Sequence, residues 1–186
     1  MSELPLAGIN VLVTRAAEQS KGLVSDLTSR GADVTVIPAV SFHPIAEPEG
    51  FGQAIADVQR YESMIFTSVN GVKSALLLIE KEGLEPRSLP PALCVGEKTA
   101  RAWEEAGGTV AAVPEQFTAE ALLDSLDADL AGRKFLLVRP EVVKTELGAA
   151  RRGRGATVDE IVLYRTVAPG EGGEALRGMM AEGGPD

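Results

Sequence analysis

The chain holds a single cysteine, Cys94, and a single histidine, His43, among 186 residues. A lone cysteine forms no internal disulfide and cannot supply a zinc cage. Leu93 and Val95 flank it, so a reduced core thiol is expected rather than a nucleophile, which needs an electropositive, partly exposed setting. A Ser-His-Asp triad could form only through His43, which sits beside Pro44. No Gly-x-Ser-x-Gly elbow exists, so His43 is expected to be structural, at a surface or between domains. One His, one Cys and no spaced carboxylate loop leave nothing resembling a metal ligand set. Glu104-Glu105, and Asp124 with Asp127 and Asp129, fit the solvated sides or ends of helices.

Basic charge is also scarce: 18 Lys and Arg stand against 27 Asp and Glu, a net charge of −9 and a pI near 4.7. Phosphate neutralisation needs clustered Lys and Arg, so no nucleic-acid partner is expected. Apolar runs are short, the densest being Ala75-Leu76-Leu77-Leu78-Ile79, far below the roughly 18 residues that span a bilayer. Met1 to Gly8 has neither a basic start nor a long apolar stretch. The expectation is a soluble cytoplasmic monomer with no membrane partner. Nucleotide motifs are missing too. The first strand leads into Thr14-Arg15-Ala16-Ala17 rather than Gly-x-Gly-x-x-Gly. Gly153-Arg154-Gly155 follows a helical pattern and reads as a helix stop. In Gly96-Glu97-Lys98-Thr99 the lysine does not follow the glycine, and Pro91 stands where a P-loop has its first Gly.

What is present is an ordinary globular composition, 45% hydrophobic and 24% charged, on a length that suits one domain or two small ones. Short apolar runs alternate with helical periods. Val11-Leu12-Val13 reads as a strand, Leu23, Val24 and Leu27 mark an amphipathic helix, Gly31 ends it, and Val34, Val36 and Ile37 form the next strand. The same grammar gives strands at Met64–Phe66, Ala92–Val95, Val110–Val113, Phe135–Val138 and Val158–Val167. Helices are expected at Gly71–Lys81, Thr99–Ala106, Ala119–Leu130 and Val143–Arg152. Such alternation with short loops implies βαβ crossovers and parallel sheets covered on both faces.

A repeat sharpens the layout. Gly8 opens GINVLVTR and Gly31 opens GADVTVIP; Gly132 opens GRKFLLVR and Gly155 opens GATVDEIVLY, the offset being 23 residues in both pairs. The first strand of each block ends in a basic residue, Arg15 or Arg139. Gly107 to Pro114 repeats the spacing of Gly31 to Pro38, although Gly before Val is also the common helix-to-strand turn. Regularity fails between Pro38 and Gly52, where Pro38, Pro44, Pro48 and Gly50 interrupt any period. The last strand is long enough to cross back. These breaks divide the chain into residues 1–39 with 162–186, a linker at 40–50, and a second domain at 51–161.

Polar residues cluster at the expected strand ends. Thr67-Ser68-Val69-Asn70-Gly71 lies between a strand and a helix, Gly96 and Thr99 occupy the matching turn after the next strand, and Thr14-Arg15 and Arg139 complete two more. Open α/β sheets bind ligands at the carboxyl ends of their strands, and helix starts favour anions. Ser68, Asn70 and Thr99 are also the residue types that cap helices. Four aligned strand ends with two arginines point to a cleft for an anionic ligand.

LVTR at 12–15 with Gln19, IFTSVNGV at 65–72, CVGEKTA at 94–100, FLLVR at 135–139 and LYRTV at 163–167 follow one another in the order and spacing of uroporphyrinogen-III synthases, which the chain resembles. The resemblance implies two parallel-sheet, three-layer, flavodoxin-like domains joined by a double crossover. It implies cyclisation of hydroxymethylbilane, a linear tetrapyrrole with eight carboxylates, with inversion of the last ring and loss of water, in a cleft between domains and without cofactor or metal. Tyr164 becomes the candidate proton donor, since a phenol stays protonated at neutral pH. Thr99, Ser68, Val69 and Asn70 match family positions that contact substrate, with Thr14, Arg15, Thr67, Gly96 and Arg139 completing the candidate site. Net negative charge against a polyanion requires any basic potential to be local. The family continues past a helix like Gly173 to Glu182 with another strand and further TSxSxV and VGxxT turns. This chain stops at Asp186, which implies a C-terminally truncated first domain. Alternatives are a non-catalytic tetrapyrrole- or anion-sensing module of the same fold in a regulator, and an unrelated α/β binder of sugars or phosphates.

Overall fold

The computed structural model describes residues 4–114, 130–142, 155–168, 172–181 and 184–185. In chain order its elements are β1 (Asn10–Val13), α1 (Ala17–Ser29), β2 (Asp33–Val36), β3 (Ser41–Pro44), α2 (Phe51–Ala56), β4 (Ser63–Phe66), α3 (Val69–Lys81), β5 (Ala92–Cys94), α4 (Glu97–Glu105), β6 (Val110–Ala112), β7 (Lys134–Pro140), β8 (Thr157–Val167) and α5 (Gly172–Ala181). The helices expected at 119–130 and 143–152 fall outside the described residues, Leu130 excepted. The chain divides into two compact units, Met1–His43 with Thr166–Asp186, and Pro44–Arg165.

In the first unit β1 and β2 pair in parallel, Val11 opposite Val34 and Val13 opposite Val36. Along the inner face of α1 Ser20 is buried and Val24 and Leu27 are half-buried, while Leu23, expected on the apolar face, is 46% exposed. Past α1, the Gly31 N–H donates to the Thr28 carbonyl (2.9 Å) and the Ala32 N–H to that of Leu27 (3.1 Å). Gly31 has φ +97, and a Cβ there would meet Leu4 Cβ at 2.8 Å, so both backbone and packing demand glycine. Gly83 after α3 and Gly107 after α4 close their helices with the same paired bonds.

The sheet that dominates the second unit has the order β3-β8-β7-β4-β5-β6, and β8-β7, β7-β4, β4-β5 and β5-β6 are all parallel. The parallel α/β architecture is thus as expected. The detail differs: in chain order the five parallel strands run 3-2-1-4-5, with the reversal between β4 and β7, rather than the 2-1-3-4-5 of flavodoxin. The segment expected as a linker holds β3, whose end is followed by an Ile45 N–H donating to the Leu163 carbonyl at 2.9 Å, and the unforeseen α2 follows.

Side-chain alternation places the core on both faces. Met64, Phe66, Ala92, Cys94, Leu136 and Val138 join Val72, Ala75, Ile79 and Trp103 beneath α3 and α4. Ile65, Leu93, Phe135 and Leu137 meet Leu130 on the other side. Burial on both faces is why these strands are continuous apolar runs rather than alternating ones. Trp103 anchors α4: its ring lies 4.9 Å from Phe66, and its Nε1–H donates to the Thr109 carbonyl at 3.1 Å. A Cβ on Gly108 would stand 2.2 Å from that indole, so glycine there makes room for it.

At the amino ends of the strands, Tyr61 Oη donates to Asp159 Oδ2 (2.6 Å), Lys134 Nζ reaches the same oxygen at 2.7 Å, and the ammonium lies 4.8 Å from the Tyr61 ring centre. Donation from Lys134, then from Tyr61, holds the Asp159 carboxyl below its usual range. A depressed carboxyl stabilises the fold above its unfolded pKa, and that contribution disappears as pH falls through the folded value. We therefore expect Asp159→Asn to remove part of the acid dependence of stability below about pH 4. At neutral pH the cost should be no more than about 1 kcal/mol, because the carboxylate side chain is 41% exposed. Urea midpoints of both proteins from pH 7 to pH 3 check this; identical slopes would contradict it.

Candidate functional site

The order reversal between β4 and β7 marks where a crevice opens beyond the carboxyl ends of an open sheet. Phe66 pairs with Val138 there, so the chain leaving β4 begins Thr67-Ser68-Val69-Asn70 and the chain leaving Val138 continues as Arg139. Ser68 adopts extended backbone angles, φ −160 and ψ 157, and caps α3 by accepting the Gly71 N–H at 3.1 Å. This satisfies one of the first-turn donors that an α-helix leaves without an intrahelical acceptor. Thr67, Val69 and Asn70 are half-buried in the same turn.

Tyr164 reaches this turn from β8. Ile161 and Leu163 belong to the core beneath α3, so regular alternation would send Tyr164 to the opposite face. Instead the β7–β8 register slips. Arg139 opposes Val162 and Pro140 opposes Tyr164, which leaves Leu163 unopposed. A bulge of this kind re-aims the next side chain. Tyr164 is buried, its Oη lies 2.8 Å from Ser68 Oγ, and its Cε1 is 3.8 Å from where a Cβ of Gly71 would stand. Val138 Cγ1 is 3.4 Å from that same point, so β7, β8 and α3 converge on Gly71. Burial raises the Tyr164 phenol above its ordinary pKa and the Ser68 hydrogen bond opposes that rise, leaving a protonated phenol at neutral pH.

The neighbouring turn differs. Gly96 has φ +93 and ψ 148, a region for glycine, and starts α4. Thr99 is buried, and its hydroxyl donates back to the Val95 carbonyl at 3.2 Å while its N–H donates to that of Gly96 at 3.1 Å. The Thr99 side chain is therefore spent inside its own turn.

Arg139 is also engaged. Its Nε is 2.7 Å from Glu160 Oε2 but off the N–H axis, an ion pair rather than an aligned hydrogen bond, and Nη1 donates to the carbonyls of Pro140 (3.1 Å) and Glu141 (3.4 Å). Glu160 had no place in the sequence reading. Leu137 opposes Glu160 and Arg139 opposes Val162, which makes Arg139 and Glu160 diagonal neighbours. Only a β7–β8 register could have exposed this pairing. Thr14 and Arg15 belong to the other unit, where they stand exposed between β1 and α1 and the Thr14 carbonyl accepts the Ala39 N–H at 2.8 Å. The structure thus joins Ser68 to Tyr164, and places Thr67, Val69 and Asn70 beside Ser68.

His43 is exposed, with Nε2 3.0 Å from Ser41 Oγ. Among the described residues no group of three His, Cys, Asp or Glu is placed to hold a metal ion, and no helix is long and apolar enough to cross a membrane. A groove of about 650 Å³ runs along α1 past Lys21, Val24 and Val36, and shares no residue with the strand-end turns.

Over residues 21–186 the chain matches the family described as Uroporphyrinogen-III synthase HemD. It is 30% identical over 173 residues to a uroporphyrinogen-III synthase of Synechococcus elongatus, covering 92% of this chain and 66% of that protein. It is 29% identical over 166 residues to a porphyrin biosynthesis protein HemD of Ruminiclostridium josui, covering 87% and 33%. The chain therefore spans about two thirds of the first relative and one third of the second. A crystal structure of a mutant uroporphyrinogen III synthase from Thermus thermophilus superposes with a TM-score of 0.67 at 23% identity, covering 94% of this chain and 68% of that one, a likeness of fold. A wild-type crystal form from the same organism gives 0.55 at 26% identity, covering 91% and 68%.

Cys94 is fully buried in the core, and that burial pushes its thiol up to about 12. An Ellman-type reagent at pH 8 should react with the folded chain at least about 100-fold more slowly than with the urea-unfolded chain. Comparable rates would place the thiol at an accessible site.

Proposed function

The chain belongs to the uroporphyrinogen-III synthase family, and on that premise we propose that it serves the cyclisation of hydroxymethylbilane to uroporphyrinogen III, with Tyr164 as the proton donor. The observation that carries this reading is the Tyr164–Ser68 contact at 2.8 Å, beside the reversal of strand order and at the start of a helix. The proposed layout is two parallel-sheet domains joined by a double crossover, residues 1–39 with 162–186 and residues 51–161. A soluble cytoplasmic monomer is the matching state.

The chemistry asks for assistance to a leaving hydroxyl and for control of a reactive intermediate. As the C–O bond of the hydroxymethyl group breaks, its electron pair leaves on oxygen and the phenolic hydrogen of Tyr164 completes a water molecule. The pyrrole nitrogen supplies electrons to the vacated carbon, leaving an azafulvenium cation and a tyrosinate. The last ring attacks through its substituted carbon, rearranges through a spiro intermediate and closes inverted; the proton released on closure restores the phenol. Orientation and hydrogen bonding suffice for such a reaction. Thr67, Ser68, Val69 and Asn70 form the wall of hydroxyl and N–H groups, beside the Gly96 turn that Thr99 braces from within; Thr14 and Arg15 are further candidate substrate contacts. Arg139 meets a substrate carboxylate with its charge already ion-paired to Glu160 at 2.7 Å, which weakens its pull on an anion.

The test incubates the protein, expressed from its whole reading frame, with freshly prepared hydroxymethylbilane and resolves the product isomers by chromatography. Isomer III should dominate, and Tyr164→Phe should lower turnover about 100-fold or more, within the range of a positioned acid. An isomer mixture indistinguishable from the protein-free reaction would refute the function. Full activity of Tyr164→Phe would remove the acid role alone.

A further inference from the structure

We infer that Ser68 is a positioning residue for Tyr164: its hydroxyl donates to Tyr164 Oη across the 2.8 Å contact and so turns the phenolic hydrogen outward from α3. The inference deepens the reading of Tyr164 as an acid and rests on it. Either oxygen could donate on distance alone, and three observations favour Ser68. The Gly71 N–H already occupies one lone pair of Ser68 Oγ, at 3.1 Å. That N–H belongs to the positive end of α3, a helix of 13 residues, so the hydroxyl hydrogen is repelled from it and turns toward Tyr164 Oη at 2.8 Å. At the equivalent turn before α4, Thr99 Oγ1 donates back to the Val95 carbonyl, whereas Ser68 Oγ is brought against a phenol instead.

The arrangement has a consequence for charge. When the phenolic hydrogen leaves, Tyr164 Oη becomes an oxyanion that already holds a donated hydrogen bond, next to the amino terminus of α3. Hydrogen bonds to an ionised acceptor are roughly twice as strong as neutral ones, so the support grows as the charge develops. The Ser68 hydroxyl thus works on the proton donor, while the Ser68 backbone, which substitution of the side chain keeps, stays part of the wall.

A structural cap and an oriented donor are separable by substitution. Asp caps a helix as well as Ser does but cannot donate, whereas Thr can do both. The experiment labels the 186-residue chain with 3-fluorotyrosine and follows ionisation by fluorine NMR, with Tyr61→Phe identifying the resonance of Tyr164, since the chain has two tyrosines. Ser68→Ala and Ser68→Asp should both raise the Tyr164 midpoint by about one pH unit or more, and Ser68→Thr should leave it near the parent value. In the turnover assay Ser68→Ala should lower kcat with KM within about twofold. Equal midpoints in Ser68→Ala and Ser68→Thr, with unchanged circular dichroism, would overturn the inference, and so would a rise in KM at constant kcat. A shifted midpoint together with full turnover of Tyr164→Phe would instead defeat the acid role beneath it, so the two failures are distinguishable.

Discussion

The hydroxyl of Ser68 sits between two things that a parallel sheet does not otherwise connect: the first turn of α3 and the far end of β8. It receives the Gly71 N–H at 3.1 Å and meets the Tyr164 phenol at 2.8 Å. Everything proposed for the site depends on that shared oxygen. The β4–α3 turn is held by the cap, and Tyr164 is held to the turn. The approach is possible because the slip in the β7–β8 register turns Tyr164 back toward α3.

That local arrangement rides on a sheet buried on both faces, whose central strands cannot tilt or slide without opening a core packed around Phe66, Trp103 and Phe135. Deleting such side chains from a core costs about 3–5 kcal/mol. The charge pattern completes the picture. A chain of net charge −9 offers no long-range attraction to a polycarboxylate. Arg139, at the order reversal, is already neutralised by Glu160. What faces an anionic ligand at this turn is the field of a helix start and its donors, which act over a few ångströms and need no net positive charge.

The parts of this fold that were legible in the sequence are those governed by local physics. Met64–Phe66, Ala92–Cys94 and Phe135–Val138 read as strands because burial on both faces makes each an unbroken apolar run. The ends of α1 and α4 were marked by Gly31 and Gly107, which close those helices in the left-handed region. β3 was hidden because prolines at 38 and 44 suppress a strand signal that a sheet edge tolerates. Leu23 misled because periodicity gives a face but not how deeply it is buried. The turn around Ser68 was readable as a strand-end turn with a helix cap, and so as a candidate site, since strand, hydroxyl and helix follow in sequence. The partnership of Ser68 with Tyr164, and of Arg139 with Glu160, was not, because each depends on a register that no local pattern encodes.

The central claim is that the Ser68–Tyr164 hydrogen bond ties the end of β8 to the start of α3. A double-mutant cycle on folding stability measures that bond directly. Ser68→Ala, Tyr164→Phe and the double variant would be unfolded in urea alongside the parent. The account predicts a coupling of about 1 kcal/mol, the double variant losing less than the two single losses combined. Losses that add within about 0.3 kcal/mol would show that the two side chains act independently, and would contradict it.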